Sequence, residues 1–316
     1  MGIARASGVT DPIILLGAPR SGTSLLAEVL AAHPDVGLAR EPRLVWRYGN
    51  DRRSDQLRPE HARPDVVVHI HGSFAELLAQ TGGTRLVEKT PANSVRPGFV
   101  DVVFPDARYV HITRDGWGAV PSIRSFWERR STGFDARQVR KLRRRLREAH
   151  PAQLRHYAVE LGGRLAGGRR RRTPLYGPRL AGLQTVADEL GVLTAAGLQW
   201  RTCVESSATF GRALEPGRYL EIQLETLHGD SIESVVSFCG LRPSPEVGRA
   251  FKDAYRRETA TRRAPLTDNE RAIVAPFVDP VNPWLGYHPL ERAVDVGHDD
   301  QQTPPVRVSS SETMTP

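Results

Sequence analysis

Short apolar runs bounded by Gly and Pro alternate with stretches of helical period along this chain, beginning with PIILL at residues 12–16. Such a run reads as a buried strand of a parallel sheet. After a short loop, Leu25, Leu26, Val29 and Leu30 give residues Thr23 to Ala32 the apolar stripe of a helix. Further strands are predicted at Val36 to Leu38, at RLVE (85–88), at 108–113 where Tyr109, His111 and Thr113 alternate with Val110 and Ile112, and in GRYLEIQLETL. Residues 183–214 and Ser231 to Cys239 carry helical patterns. VVVHIHGSFAELLAQ (66–80) fits a helix packed on the sheet or a strand placing His69 and His71 on one face. The expected fold is α/β, a parallel sheet flanked by helices with helical insertions on the substrate side. One domain is expected over 12–291, after a disordered 1–11, with a basic helical or loop insertion at 130–182. A disordered tail is expected at 292–316, which has no apolar period.

The loop between the first strand and helix, GAPRSGTS (17–24), reads as an anion cradle, since backbone amides and the helix dipole converge where it turns into the helix. It nearly fits the nucleotide-kinase loop G-x-x-x-x-G-K-[ST] but lacks the lysine. Gly22 is followed by Thr23 and Ser24, and the cation, Arg20, precedes the glycine. A guanidinium offers a planar fork of donors and keeps its charge. The set suits a diphosphate or phosphosulfate held by backbone amides, hydroxyls and Arg20 without a metal. The sheet is therefore expected to be P-loop-like.

RYVHITRDGWGAVPS (108–122) adds a second cation, because Arg114 leaves the carboxyl end of a strand, where ligands of open parallel sheets bind. Ser122 follows on or just before a helix. Only three of the 44 basic residues are lysines, Lys89, Lys141 and Lys252. Lys89 stands at another strand end, where a flexible ammonium can follow charge onto a leaving oxygen. Transfer to a hydroxyl also needs a base, His or carboxylate, with Glu41, His69 and His71 as candidates. His111 is expected to be a packed core histidine.

GAPRSGTS followed by EKTPANSVRPGFVDVVFPDARYVHITRDG and a serine resembles the PAPS-dependent sulfotransferase family, in particular bacterial members and tyrosylprotein sulfotransferases. The resemblance runs from about residue 12 to 125, with an echo through RYLEIQLETL to LGY at 285–287. It implies that Arg20, Ser21, Gly22, Thr23 and Ser24 surround the 5'-phosphosulfate and that Arg114 and Ser122 bind the 3'-phosphate. It also implies that Lys89 stabilises the transition state and that Glu41 is the base. Arg262 and Arg263 could add phosphate contacts, in place of the Arg-Lys-Gly motif of cytosolic members.

With 44 Lys and Arg against 36 Asp and Glu, the net charge is +8. The excess lies in RQVRKLRRRLREAH and GRLAGGRRRR, between 137 and 172. A solvated or substrate-side basic surface is expected there, with peripheral contact to anionic lipid admissible. Nucleic acid is disfavoured because no aromatics are interleaved with the arginines. Cys203 and Cys239 lack metal-ligand spacing and are expected as free thiols. No apolar run reaches a membrane-spanning length and residues 1–11 have no hydrophobic signal core, so a cytoplasmic enzyme is expected. The expected activity moves a sulfonate group from PAPS to a hydroxyl of a small metabolite, sugar or lipid. A small-molecule kinase with an altered loop and a basic nucleotide- or RNA-binding protein are the alternatives.

Overall fold

The computed structural model describes residues 9–130, 150, 153, 174–287 and 307–308. Most of the basic insertion expected at 130–182 and of the tail after 291 lies outside these residues. The sheet has the order β2-β3-β1-β4-β5-β6. Its strands are β1 (Ile13–Leu16), β2 (Val36–Arg40), β3 (Arg85–Lys89), β4 (Arg108–Thr113), β5 (Tyr219–Gln223) and β6 (Arg307–Val308). The first five are parallel, and β6 runs antiparallel to β5. β1 is buried at all four positions, as a central strand covered on both faces requires. The fold class is therefore the expected α/β sheet flanked by helices.

One apolar layer joins Leu26, Val29 and Leu30 of α1 (Thr23–Leu30) to Ile13 and Leu15 of β1 and Val110 and Ile112 of β4. The opposite layer packs Ile14, Leu16 and Tyr109 against Val66, Ile70 and Phe74 of α3 (Pro64–Thr81). The segment holding His69 and His71 is thus helical. Between these elements lie α2 (Arg43–Arg47), after β2, and α4 (Pro97–Val103), after β3. A third cluster forms where α5 (Gly116–Arg130) meets α7 (Val192–Gly211), which follows α6 (Leu183–Leu190). Strand order reverses about β1, whose neighbours β3 and β4 lead away on opposite sides. That switch point places the carboxyl ends of β1, β3 and β4 around one crevice.

α5 starts five residues before Pro121, which lies inside it, and so carries Ser122. Asp115 accounts for this early start. Its Oδ1 accepts the Trp117 amide at 3.1 Å, while its carbonyl accepts from Gly118 and Ala119. A capped start holds Pro121 in the second turn, where the ring costs one backbone hydrogen bond.

Gly17 shows how tightly β1 hands over to the loop. A Cβ there would lie 2.6 Å from the Ile112 carbonyl oxygen and 2.6 Å from Thr23 Cγ2. Gly17→Ala is expected to cost about 1–3 kcal/mol by overpacking, read as a lower denaturation midpoint. An unchanged midpoint would show that the loop has slack.

Candidate active site

Backbone conformation marks the site first. Among the described residues, only Asp11, Arg20 and Glu41 are non-glycine residues with positive φ, and Arg20 (71°) and Glu41 (52°) both face the crevice. This conformation costs on the order of 1 kcal/mol each, so neighbours must hold it in place. The Glu41 amide donates to the Lys89 carbonyl at 3.0 Å, and the Glu41 carbonyl accepts from the Arg43 amide at 2.7 Å. Arg114 Nη1 donates to the Arg20 carbonyl at 3.2 Å.

Two clefts meet at the loop. The first, about 280 Å³, is lined by Arg20, Gly22, Thr23, Ser24, Arg114 and the 254–260 segment, with Leu25 and Leu224. The second, about 330 Å³, shares Arg20, Thr23 and Ser24 and adds Glu28, Arg40, Glu41, Arg43, Lys89, Phe126 and Tyr176 among its walls. Residues predicted from three separate sequence segments thus converge. Ser21 is fully buried beneath the loop. Ser122 stands on α5 behind Arg20, whose Nε donates to the serine Oγ at 3.2 Å, and it lines neither cleft.

The first cleft has the chemistry of an anion site. No side chain caps α1, leaving first-turn amides available, and Gly22 occupies the left-handed region at φ 91°. A Cβ at Gly22 would lie 2.6 Å from Leu224 Cδ1. Burial and the charges of Arg114 and Arg129 push the Arg20 pKa down. Burial likewise lowers the Arg114 pKa against the opposing pull of Glu225 and Asp115. An incoming anion would relieve that strain. Ser21 Oγ and Arg114 Nε are buried without a hydrogen-bond partner among the described residues. Arg114 Nη2 donates to the carbonyls of Thr259 (3.4 Å) and Arg262 (2.8 Å), beside the Nη1 bond to the Arg20 carbonyl. Arg262 and Arg263 line neither cleft. Arg262 supplies that carbonyl, and the Arg263 guanidinium pairs with Asp115 at 2.6 Å.

In the second cleft the Lys89 ammonium donates to Glu41 Oε1 at 2.6 Å and to Ser24 Oγ at 3.0 Å. Arg43 Nη2 donates to Glu41 Oε2 at 3.0 Å. Burial pushes the Glu41 carboxyl up, but the charges and hydrogen bonds of Arg43 and Lys89 outweigh it and leave its pKa at about 2. The rival histidines are placed elsewhere. His71 Nε2 is engaged with the Val103 carbonyl at 2.6 Å, and His69 stacks on Tyr48 at 3.8 Å between ring centroids. His111 is fully buried, its Nδ1 2.7 Å from the Tyr219 hydroxyl, and burial lowers its pKa to about 4.

Residues not foreseen in the sequence support Lys89 and the loop. Glu88, fully buried, accepts from Trp46 Nε1 at 3.0 Å, Asn93 Nδ2 at 2.7 Å and the Thr90 hydroxyl. Ser94 Oγ accepts the Gly17 amide at 2.8 Å and donates to the Gly17 carbonyl at 3.0 Å. Trp46 apart, they lie within EKTPANS, so proximity to Lys89 is the available signal. Burial lifts Glu88 to about 7 against those hydrogen bonds and the Arg96 charge. The folded state therefore holds the Glu88 proton more tightly than the unfolded chain does. The corresponding stability is present below about 4.5 and lost as pH rises through about 7. Chemical denaturation across that window should show this decline in the native protein and a flatter profile in Glu88→Gln. Equal slopes would place the proton elsewhere.

A loop-bounded anion cleft thus shares Arg20, Thr23 and Ser24 with a cleft that carries a lysine and a carboxylate, at the carboxyl ends of a parallel sheet. Residues 12–161 match the model of the Sulfotransferase family. A 129-residue stretch is 30% identical to nodulation protein NoeE of Sinorhizobium fredii, covering 36% of this chain and 31% of that protein. A 142-residue stretch is 32% identical to a protein-tyrosine sulfotransferase of Drosophila melanogaster, covering 41% of this chain and 28% of that protein. The matched stretch thus spans less than a third of either relative. The sulfotransferase domain from the Synechococcus PCC 7002 olefin synthase aligns with 89% of this chain and 97% of its own, at 16% identity and a TM-score of 0.47.

Proposed function

We propose that this enzyme transfers the sulfonate of PAPS to a hydroxyl of a small-molecule or glycolipid acceptor by in-line displacement. The observation that carries the reading is the meeting of the two clefts at Arg20, Thr23 and Ser24, with Lys89 and Glu41 on the acceptor side. In this reading the amides and hydroxyls of Ser21 to Ser24, together with Arg20, hold the phosphosulfate. Arg114 marks the 3'-phosphate end of the same cleft, and Ser122 acts by steadying Arg20. The unpartnered Ser21 Oγ and Arg114 Nε fit such a polyanion. When bound, PAPS supplies an activated sulfonate and a phosphate leaving group.

Glu41 accepts the proton of the acceptor hydroxyl as the new oxygen–sulfur bond forms. Lys89 and Arg20 stabilise the negative charge that grows on the bridging oxygen as the old bond breaks. Among the described residues no helix is long and apolar enough to cross a membrane, and no cluster of three or more potential metal ligands occurs.

Arg114 supplies the test of the donor. Arg114→Ala is expected to weaken adenosine 3',5'-bisphosphate at least about tenfold, the scale of a lost charge-assisted hydrogen bond, and AMP far less. Calorimetric titration of both nucleotides measures it. Equal losses for the two would assign Arg114 to holding the 259–262 segment and not to a 3'-phosphate.

A further inference from the structure

Glu41 cannot serve as a base in the arrangement just described. Each of its carboxylate oxygens is occupied by a cation, Oε1 by Lys89 at 2.6 Å and Oε2 by Arg43 at 3.0 Å. A carboxylate held so far below the ordinary range, at about 2, has little affinity for a hydroxyl proton. Lys89 is equally committed, since two of its three donors are taken by Glu41 and Ser24.

We propose that donor binding releases the base: the donor anion draws Lys89 away from Glu41, and Arg43 then holds the freed carboxylate in place for the acceptor. This rests on the functional reading above and adds an order of events to it.

The geometry identifies which partner moves. Glu41 is fixed in the left-handed region, its amide bonded to the Lys89 carbonyl and its own carbonyl to the Arg43 amide. Its backbone is pinned, and the Arg43 Nη2 bond to Oε2 would keep the carboxylate in place if Lys89 left. The Lys89 ammonium rides on four methylenes and can rotate while its backbone stays in β3. Ser24, its second partner, lines both clefts and lies where a donor anion would meet the loop. A short rotation would exchange the carboxylate for an anion on the donor side, and Glu41 would keep Arg43 alone. Arg43 is thus a positioning residue, and an acceptor arriving before the donor meets a base already saturated by two cations.

The arrangement makes an unusual prediction, because Glu41 competes with the donor for Lys89. Glu41→Gln, which cannot transfer, should bind PAPS about five- to tenfold more tightly than the native enzyme, the worth of a partly buried ion pair. Simple relief of charge repulsion is separated by Glu28→Gln, which removes an acidic wall of the same cleft that pairs with Arg40 instead. That variant should change affinity little. In a Lys89→Met background the gain from Glu41→Gln should vanish, as a double-mutant cycle would register. Arg43→Ala should lower kcat more than it changes the PAPS Kd, with partial recovery in Arg43→Lys.

The experiment is calorimetric titration of the intact protein and these variants with PAPS in the absence of acceptor. Tighter binding by Glu41→Gln that depends on Lys89 supports the handover. Binding of equal strength in native enzyme and Glu41→Gln, or an equal gain in Glu28→Gln, overturns the handover and leaves sulfonate transfer from PAPS standing. No binding of PAPS to any variant overturns both.

Discussion

Lys89→Ala is expected to lower turnover by at least about a hundredfold, the scale of removing one preorganised stabiliser of transition-state charge. Lys89 is 6% exposed at the carboxyl end of β3, and its ammonium reaches both the loop hydroxyl of Ser24 and the carboxylate of Glu41. Removal takes the cation from the position between the clefts, where the proposed transfer would move charge onto the leaving oxygen. Arg20 remains, but its Nε is tied to Ser122 and its guanidinium lies over the Phe126 ring, 5.6 Å from the centroid. It cannot follow the charge in the way a lysine can. Steady-state rates with a hydroxyl acceptor read the effect, which should fall on kcat more than on donor affinity. Near-native turnover would remove Lys89 from the mechanism.

Glu41→Gln is expected to lower transfer by about a hundredfold to ten-thousandfold, the range attributed to a positioned general base. The amide keeps the shape of the side chain and its hydrogen-bonding reach but accepts no proton. Burial at this position alone would raise the carboxyl, whereas Arg43 and Lys89 bring it to about 2, so the loss of basicity is set by its partners. Transfer should fail in Glu41→Gln while donor binding survives, and single-turnover measurements at saturating donor separate the two. Survival of transfer would move the base elsewhere. The histidines weighed in the sequence are poor replacements, since His71 bonds the Val103 carbonyl, His69 stacks on Tyr48, and neither lines the clefts.

What the sequence made legible followed from local rules. The run Pro12 to Leu16 and the glycines of the loop announce a strand, a turn and a helix, because each carries its own periodicity or backbone requirement. Arg20, Thr23, Ser24, Arg114, Glu41 and Lys89 stand out in the sequence, and the structure brings all six to the two clefts. Ser122 is expected from the sequence beside the 3'-phosphate; the structure sets it against Arg20, and that placement depends on where α5 begins. The start of α5 is set by Asp115 and by Asn282, whose Oδ1 accepts the Gly116 amide at 3.0 Å across 166 positions. Such a contact has no local signature.

The same holds for the buried polar network. Glu88 looks like one more charge before Lys89, and only the closure of α2 and the 91–95 turn over β3 shows that it is encased by Trp46, Thr90 and Asn93. Glu225 accepts the Asp115 amide at 3.0 Å and the Tyr287 hydroxyl at 3.0 Å, joining β4 to residues far along the chain. Arg43 had a signal, two residues beyond Glu41. Its role emerges only from the left-handed turn at Glu41, which bends the chain so that both side chains meet.

The central claim is that the loop, Arg20 and Arg114 form a site for a nucleotide bearing a 3'-phosphate. Calorimetric titration with adenosine 3',5'-bisphosphate, alongside AMP and ATP with magnesium, tests it most directly. The account predicts binding that requires the 3'-phosphate, is at least about tenfold weaker for AMP, and is indifferent to magnesium. Preference for ATP with magnesium, or equal affinity for AMP and the bisphosphate, would contradict it.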